Sequence, residues 1–508
     1  MIIVDGENLK IEDVVSVARD YEKVKLSEKS VKKIEESRRV IDEIISKDRV
    51  VYGVNTGFGE LANVRVSSKK LDELQRNLIR SHSCGIGENL STDVVRAMML
   101  LRCNSLAKGF SGVRIEVVKL LIDMLNKDIH PIVPEKGSVG ASGDLIPLAH
   151  IALAMIGEGL AEYKNKITSV SKIFKKTDIK PLKLEPKEGI ALINGTQFMS
   201  AVSCLVIHDF DILLKNAEIA GVMSLEALKG TDQAFREEIH RARPHDGQII
   251  SARNLWRLTR NSEIIASHKN CEKVQDAYTL RCMPQVFGAA RDALEFAKKV
   301  VEIEINSATD NPLVFTKTKE CVSGGNFHGQ PIATILDLLG MVITQIGTFS
   351  ERRIARLLDE KLSNLPAFLA KNNEGLNSGF MLTQYVAANL VNENKILSHP
   401  ASVDSIPVSA NQEDFVSMGA TSAVKTRKIL DNVQYIVAIE FLVASQALEF
   451  LKPLEPSPAS FEAYKTIRKI SKTLEKDRPL YEDIKRVKEI VKNGEIVEKV
   501  EKIVGKLG

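Results

Sequence analysis

Two stretches, 198–225 and 330–350, carry little charge on any face and are far longer than a strand. A helix that is apolar all round cannot rest on a protein surface, so both must be enclosed by other elements. That requirement favours a bundle built on long central helices. The surrounding sequence supplies an outer layer. Residues 27–47, SEKSVKKIEESRRVIDEIISK, put Val31, Ile34, Val40, Ile41, Ile44 and Ile45 on one stripe of a charged helix. Similar patterns predict helices near 69–80, 92–106, 112–127, 285–305, 330–358 and 426–451. Strand signals are few: AEYKNKITSV (161–170) and PLVFTKTKECVSGG (312–325) each read as a hairpin. The expected class is mainly α, a long central helix bundle with small β-hairpin appendages.

At 508 residues the chain has room for several domains. The boundaries expected are 1–200, an N-terminal domain with a glycine-rich loop, 201–451, the central bundle, and 452–508, a helical tail. The proline-rich stretch KPLEPSPAS (452–460) reads as the linker that isolates the tail. KRVKEIVKNGEIVEKVEKIVGK (485–506) alternates charge and reads as a solvated pair of terminal helices. Lys and Arg total 70 against 66 for Asp and Glu, a balance that argues against nucleic acid or an anionic membrane as main partner. Glu440 interrupts the apolar run YIVAIEFLVASQALEFL, and the N-terminus has no signal-peptide core. Six cysteines without a CxxC pair and nine histidines without HExxH suggest no metal site. His240 and His245 lie in a charged segment and are expected to be exposed. A soluble, cytoplasmic protein is the expectation.

The chemistry concentrates in GSVGASGDLIPLAH (137–150). No Gly-Lys-Ser/Thr follows its glycines, so it is not a phosphate-binding loop. A nucleophile elbow would need glycine where Asp144 stands. Taken alone, it reads as a turn in which Asp144 caps a helix and Pro147 occupies the first turn. The triplet Ala141, Ser142, Gly143 admits a sharper reading. Gly143 lacks a side chain, so its amide nitrogen can approach the Ala141 carbonyl in a tight turn. Ring closure with loss of two waters would give a methylidene-imidazolone (MIO), with Ser142 supplying the exocyclic methylene. The helix that follows would aim its positive end at this electron-poor group.

Seven further segments occur in order: YGVNTGFG (52–59), RSHSCGIG (80–87), LINGTQ (192–197), VQDAYTLRCMPQVFGA (274–289), NSATDNPLVF (306–315), SGGNFHG (323–329) and ANQEDFVSM (410–418). Together with the triplet, from Tyr52 to Met418, they resemble the signatures of the histidine and aromatic amino-acid ammonia-lyases. The resemblance implies an ammonia-lyase/fumarase-like helical homotetramer with active sites shared between subunits. It also implies an electrophile formed from Ala141, Ser142 and Gly143, with no external cofactor. Tyr52 matches the family's base; a free phenol titrates near ~10, so cations or helix N-termini would have to favour its phenolate. Arg281 matches the clamp on the substrate carboxylate, a task suited to a planar guanidinium. Asn194, Tyr278 and Gln275 match positions around the electrophile and the amino acid, while Phe327 and Asp144 match residues that support the prosthetic group.

His82, followed by small Ser83, and acidic Glu413 match the histidine-specific members. A carboxylate can accept a hydrogen bond from an imidazole N–H, whereas a benzene ring leaves it unpaired. The implied reaction is non-oxidative deamination of L-histidine to trans-urocanate and ammonia. Two alternatives keep the electrophile: a tyrosine or phenylalanine ammonia-lyase, and a 2,3-aminomutase. A third is a helical scaffold that has lost catalysis. One departure bears on substrate choice: Phe415 stands where the histidine enzymes carry His.

Overall fold

The computed structural model describes every residue except Asp48, Phe58, 60–62, Ser68, Lys69, Asn270, Glu272 and 372–374. Phe58 of the 52–59 motif and Lys69 of the helix expected near 69–80 therefore lie outside the described residues. The expected helices form as Glu28–Ser46, Leu71–His82, Thr92–Ala107, Ile115–Asn126, Met283–Glu304, Gln330–Leu358 and Gly419–Glu449. The chain is mainly α, as the periodicity requires, and its β structure is confined to short pairs.

One unit gathers Met1–His208, Ala297–Asp337 and Pro400–Val424. Its centre is the helix Thr92–Ala107, in which every residue from Val94 to Ala107 is buried. Two arginines lie inside that helix. Arg96 reaches the Val17 and Leu125 carbonyls and Asp128, and stacks over Tyr21. Among the described residues no carboxylate stands within hydrogen-bond reach of Arg102, which donates instead to the Asn194 carbonyl and Ser105. Both expected hairpins are present. Leu160–Tyr163 pairs antiparallel with Lys166–Ser169 across Lys164 and Asn165, whose φ values of 52° and 59° suit a two-residue turn of this hand. Leu313–Phe315 pairs with Glu320–Val322. Periodicity did not foresee the parallel pair Ile2–Val4 with Val24–Leu26, nor the pair Ile86–Asn89 with Pro134–Lys136. Strands of three or four residues are too short to show a period.

The other unit gathers Asp209–Phe296, Leu338–His399 and Lys425–Gly508. Glu440, which interrupts an apolar run in sequence, is fully buried here and clamped by Arg353 in a two-pronged ion pair at 2.5 and 2.8 Å. Ser224 and Ser350 donate to the same carboxylate. A charge so deep is tolerated only because each oxygen is met. His240 is buried, not exposed as expected: Ala234 O lies 3.0 Å from Nε2, and the Gln248 amide meets Nδ1. His245 is exposed.

The stretch from 452 is not a free linker. Ser457 caps a helix, Pro458–Ile470, that begins inside it. The terminal helices Tyr481–Lys492 and Glu495–Val504 form a pair, but each buries an apolar face, and Asn216 donates to the Val491 carbonyl. Two helices, Gln197–Ala227 and Gln330–Leu358, are long and apolar enough to cross a membrane by composition. Their most apolar windows are 83% and 61% buried within this chain, so the first needs no partner to cover it.

Candidate active site

The loop before Leu145–Met155 is shaped by two backbone clamps in the first unit. On one side Met418 N–H donates to the Val139 carbonyl at 2.9 Å and the Ser417 hydroxyl to Gly140 O at 3.3 Å. On the other, Gly195 N–H donates to Ser142 O at 3.2 Å and Asp144 N–H to Gly195 O at 2.6 Å. Gly143 sits at φ +75°, and a Cβ there would stand 2.1 Å from the Gly195 oxygen. No other residue fits that corner.

Asp144 holds the N-cap position of Leu145–Met155, yet its side chain makes no bond to that helix. Instead one carboxylate oxygen accepts from the Phe198 and Met199 N–H groups at 2.9 and 3.0 Å, capping Gln197–Ala227. The expected cap is thus corrected to a different helix. The reason is geometric: Asp144 is pinned by Gly195 against the start of that second helix, whose free N–H groups attract a carboxylate. Burial nevertheless raises its pKa to about 7, against the lowering effect of those two N–H groups.

Tyr52, His82, Ala141, Ser142, Gly143 and Glu413 line one cavity of about 520 Å³. Segments more than 350 residues apart in sequence supply it, from the 52–59 turn to the loop before Gly419–Glu449. Glu413 offers an oxygen, Oε2, that is buried without a hydrogen-bond partner among the described residues. Nδ1 of His82 meets the Ser81 hydroxyl at 3.0 Å, and burial lowers the pKa of the ring while Glu413 opposes that shift. For Tyr52 the expectation of a favoured phenolate is not met within this chain. Burial raises its pKa and the Glu413 charge adds to the rise, while the Gly59 N–H acts the other way.

Asn194 is buried directly behind the triplet; its amide donates to Asn311 O at 3.0 Å, and its Oδ1 has no partner among the described residues. Arg102 donates to the Asn194 carbonyl at 2.6 Å and to Ser105 at 2.9 Å. Phe327 is half-buried in the same unit and is not among the described residues lining the cavity. Neither is Phe415, which is exposed and stacks on His328 with ring centroids 6.0 Å apart. Gln275, Tyr278 and Arg281 belong to the other unit. There Tyr278 is 69% exposed and the Arg281 guanidinium lies 4.7 Å from its ring centroid. Sequence reading missed Arg102, Gly195 and Ser417. A cation in the run VVRAMMLLRCNSLA was the available signal for Arg102, because an arginine inside a buried helix must have a polar target.

A family model for aromatic amino acid lyases matches residues 9–469. Histidine ammonia-lyase from Myxococcus xanthus (strain DK1622) is 51% identical over 496 residues, spanning 98% of this chain and 97% of the relative. Among solved structures, histidine ammonia-lyase from Trypanosoma cruzi superimposes with a TM-score of 0.91 at 41% identity, covering 99% of this chain and 95% of that one. Tyrosine aminomutase from Streptomyces globisporus gives 0.94 at 39% identity, covering 99% and 98%.

Proposed function

The chain belongs to the aromatic amino acid lyase family, and from that premise we infer that it deaminates L-histidine, without oxidation, to trans-urocanate and ammonia. It is a carbon–nitrogen lyase. The observation that carries the substrate assignment is Glu413, whose partnerless buried oxygen shares a cavity with His82 and the Ala141-Ser142-Gly143 triplet. An imidazole N–H would satisfy that oxygen and a phenyl ring would leave it bare, a difference large enough to sort substrates. Phe415, the departure from the histidine-specific pattern, is exposed in the single chain and is not among the described residues that line this cavity.

The residues present fit a self-formed MIO. Gly143 has the conformation and clearance that only glycine tolerates, and Ala141 and Ser142 face the cavity. Once formed, that group supplies an electrophile for the substrate amino group. The chain's own residues would do the rest. Tyr52 takes the β-proton at its phenol oxygen; burial and the Glu413 charge raise its pKa, so cationic groups or helix N-termini would have to favour the phenolate. Asn194 Oδ1 is free to accept from the amine. Arg281, with Tyr278 and Gln275, suits the carboxylate end of the substrate. The exposure of Gln275 and Tyr278 in the single chain, beside a half-buried Arg281, supports a homotetramer in which these three serve a neighbouring copy's triplet. A cytoplasmic setting fits a small amino acid as substrate.

Incubation with L-histidine, L-tyrosine and L-phenylalanine tests the assignment, since urocanate, coumarate and cinnamate absorb at different ultraviolet wavelengths. Urocanate with stoichiometric ammonia is expected. Coumarate or cinnamate as main product would reassign the substrate, and a β-amino acid without ammonia would make the chain an aminomutase. The intact-chain mass should fall short of the encoded mass by two waters, and Ser142→Ala should abolish both the deficit and the activity.

A further inference from the structure

Arg102 is fully buried, and among the described residues no carboxylate stands within hydrogen-bond distance of it. Its contacts run toward the reacting loop. Nη1 donates to the Asn194 carbonyl at 2.6 Å. That carbonyl and the Gly195 N–H are the two ends of one peptide group, and the Gly195 N–H donates to Ser142 O at 3.2 Å. Guanidinium, peptide and Ser142 carbonyl therefore form a single relay. A cation on a peptide oxygen polarises the group and strengthens its N–H as a donor. We propose that Arg102 is a positioning residue for the self-cyclisation of the triplet: through the Asn194–Gly195 peptide it stabilises negative charge on the Ser142 carbonyl oxygen. This rests on the reading above that Ala141, Ser142 and Gly143 react.

The chemistry shows why that oxygen matters. Cyclisation forms a bond from Gly143 N to the Ala141 carbonyl carbon. The Ala141 oxygen leaves as water with the amide protons of Gly143 and Ser142, and a double bond forms between the Ala141 carbon and Ser142 N. The Ser142 hydroxyl then leaves with the Ser142 α-proton as a second water, giving the methylene. No oxidant is consumed. An amide nitrogen is a poor nucleophile until its proton departs, and that departure places negative charge on Ser142 O. Removal of the Ser142 α-proton places charge on the same oxygen. A single donor thus serves both steps, as preorganised donors do wherever charge develops. Burial lowers the Arg102 pKa to about 10, so it stays cationic near neutral pH, and the Asp310 and Asp144 charges help keep it so.

The test compares Arg102→Met and Arg102→Lys with Arg96→Lys, a change at an equally buried arginine of the same helix that does not touch the loop. Each full-length protein is followed by intact mass from synthesis onward, with thermal midpoint and elution volume measured in parallel. Folded Arg102→Met is expected to lose its two waters about tenfold more slowly than the native chain, and Arg102→Lys should recover part of the rate. Arg96→Lys should mature at the native rate even if its midpoint falls. Native-rate maturation in either folded Arg102 variant overturns the proposal; if Arg102→Met does not fold, Arg102→Lys decides. A native chain without any mass deficit overturns instead the reading on which this rests.

Discussion

At the scale of single residues, the site depends on polar atoms left without partners. Glu413 Oε2 and Asn194 Oδ1 are buried acceptors with nothing to accept from among the described residues. Leaving such groups bare costs about 1–3 kcal/mol each, a penalty that a matching ligand group removes. Glu413→Gln keeps the shape and one oxygen but removes the charge. We expect its kcat/KM for histidine to drop at least about tenfold, with that for phenylalanine unchanged or raised, because the apolar ring no longer strands a carboxylate. A parallel loss for both substrates, measured by ultraviolet product formation, would remove Glu413 from substrate choice. The residue types at the site were legible because each has a chemical job that few others can do. Their partners were not: nothing in GASGD shows that the Asp144 carboxylate caps Gln197–Ala227 rather than its own helix. A side chain's nearest helix in sequence is not always its nearest free N–H in space.

At the scale of elements, the helices were legible because their apolar stripes repeat for several turns, and the hairpins because Lys164-Asn165 announces a turn. The strand pairs of three residues were not, since pairing there is decided by tertiary packing. Within Gly419–Glu449 the sequence shows Glu440 as an interruption, and a charge in an apolar helix must find a cation or a way out to water. Arg353, from Gln330–Leu358, is that cation, and its guanidinium also lies 5.2 Å from the Phe349 ring centroid. Glu440→Ala leaves Arg353 buried and unpaired, a change that costs about 3–5 kcal/mol. The double variant Arg353→Met/Glu440→Leu removes both charges and should lose much less. Thermal unfolding of the three proteins checks this order. If the double variant falls as far as Glu440→Ala, the pair is stabilising in its own right rather than merely costly to break.

At the scale of the whole molecule, the residues with matched roles divide between two units. Tyr52, His82, the triplet and Glu413 share a cavity in one, while Gln275, Tyr278 and Arg281 lie in the other. Oligomers with closed symmetry can use such a division, because each copy presents both sets and each site can draw on more than one copy. The exposure of Tyr278, at 69%, fits a side chain whose destination is another chain. The resemblance implied shared sites, but a motif names a residue and never the copy it serves. Subunit mixing decides the matter. Ser142→Ala lacks the reactive serine and Tyr278→Phe lacks the phenol, so each homo-oligomer should be inactive. If every site takes its triplet and its Tyr278 from different chains, random reassociation of equal amounts leaves about a quarter of the sites with both native residues. Activity should therefore return to about a quarter of the native level after joint dissociation and reassembly. If instead one chain supplies both residues to a site, mixed oligomers will form, as native mass spectrometry can verify, and remain inactive. That outcome would confine the site to a single copy and leave the exposed Tyr278 without the role assigned to it.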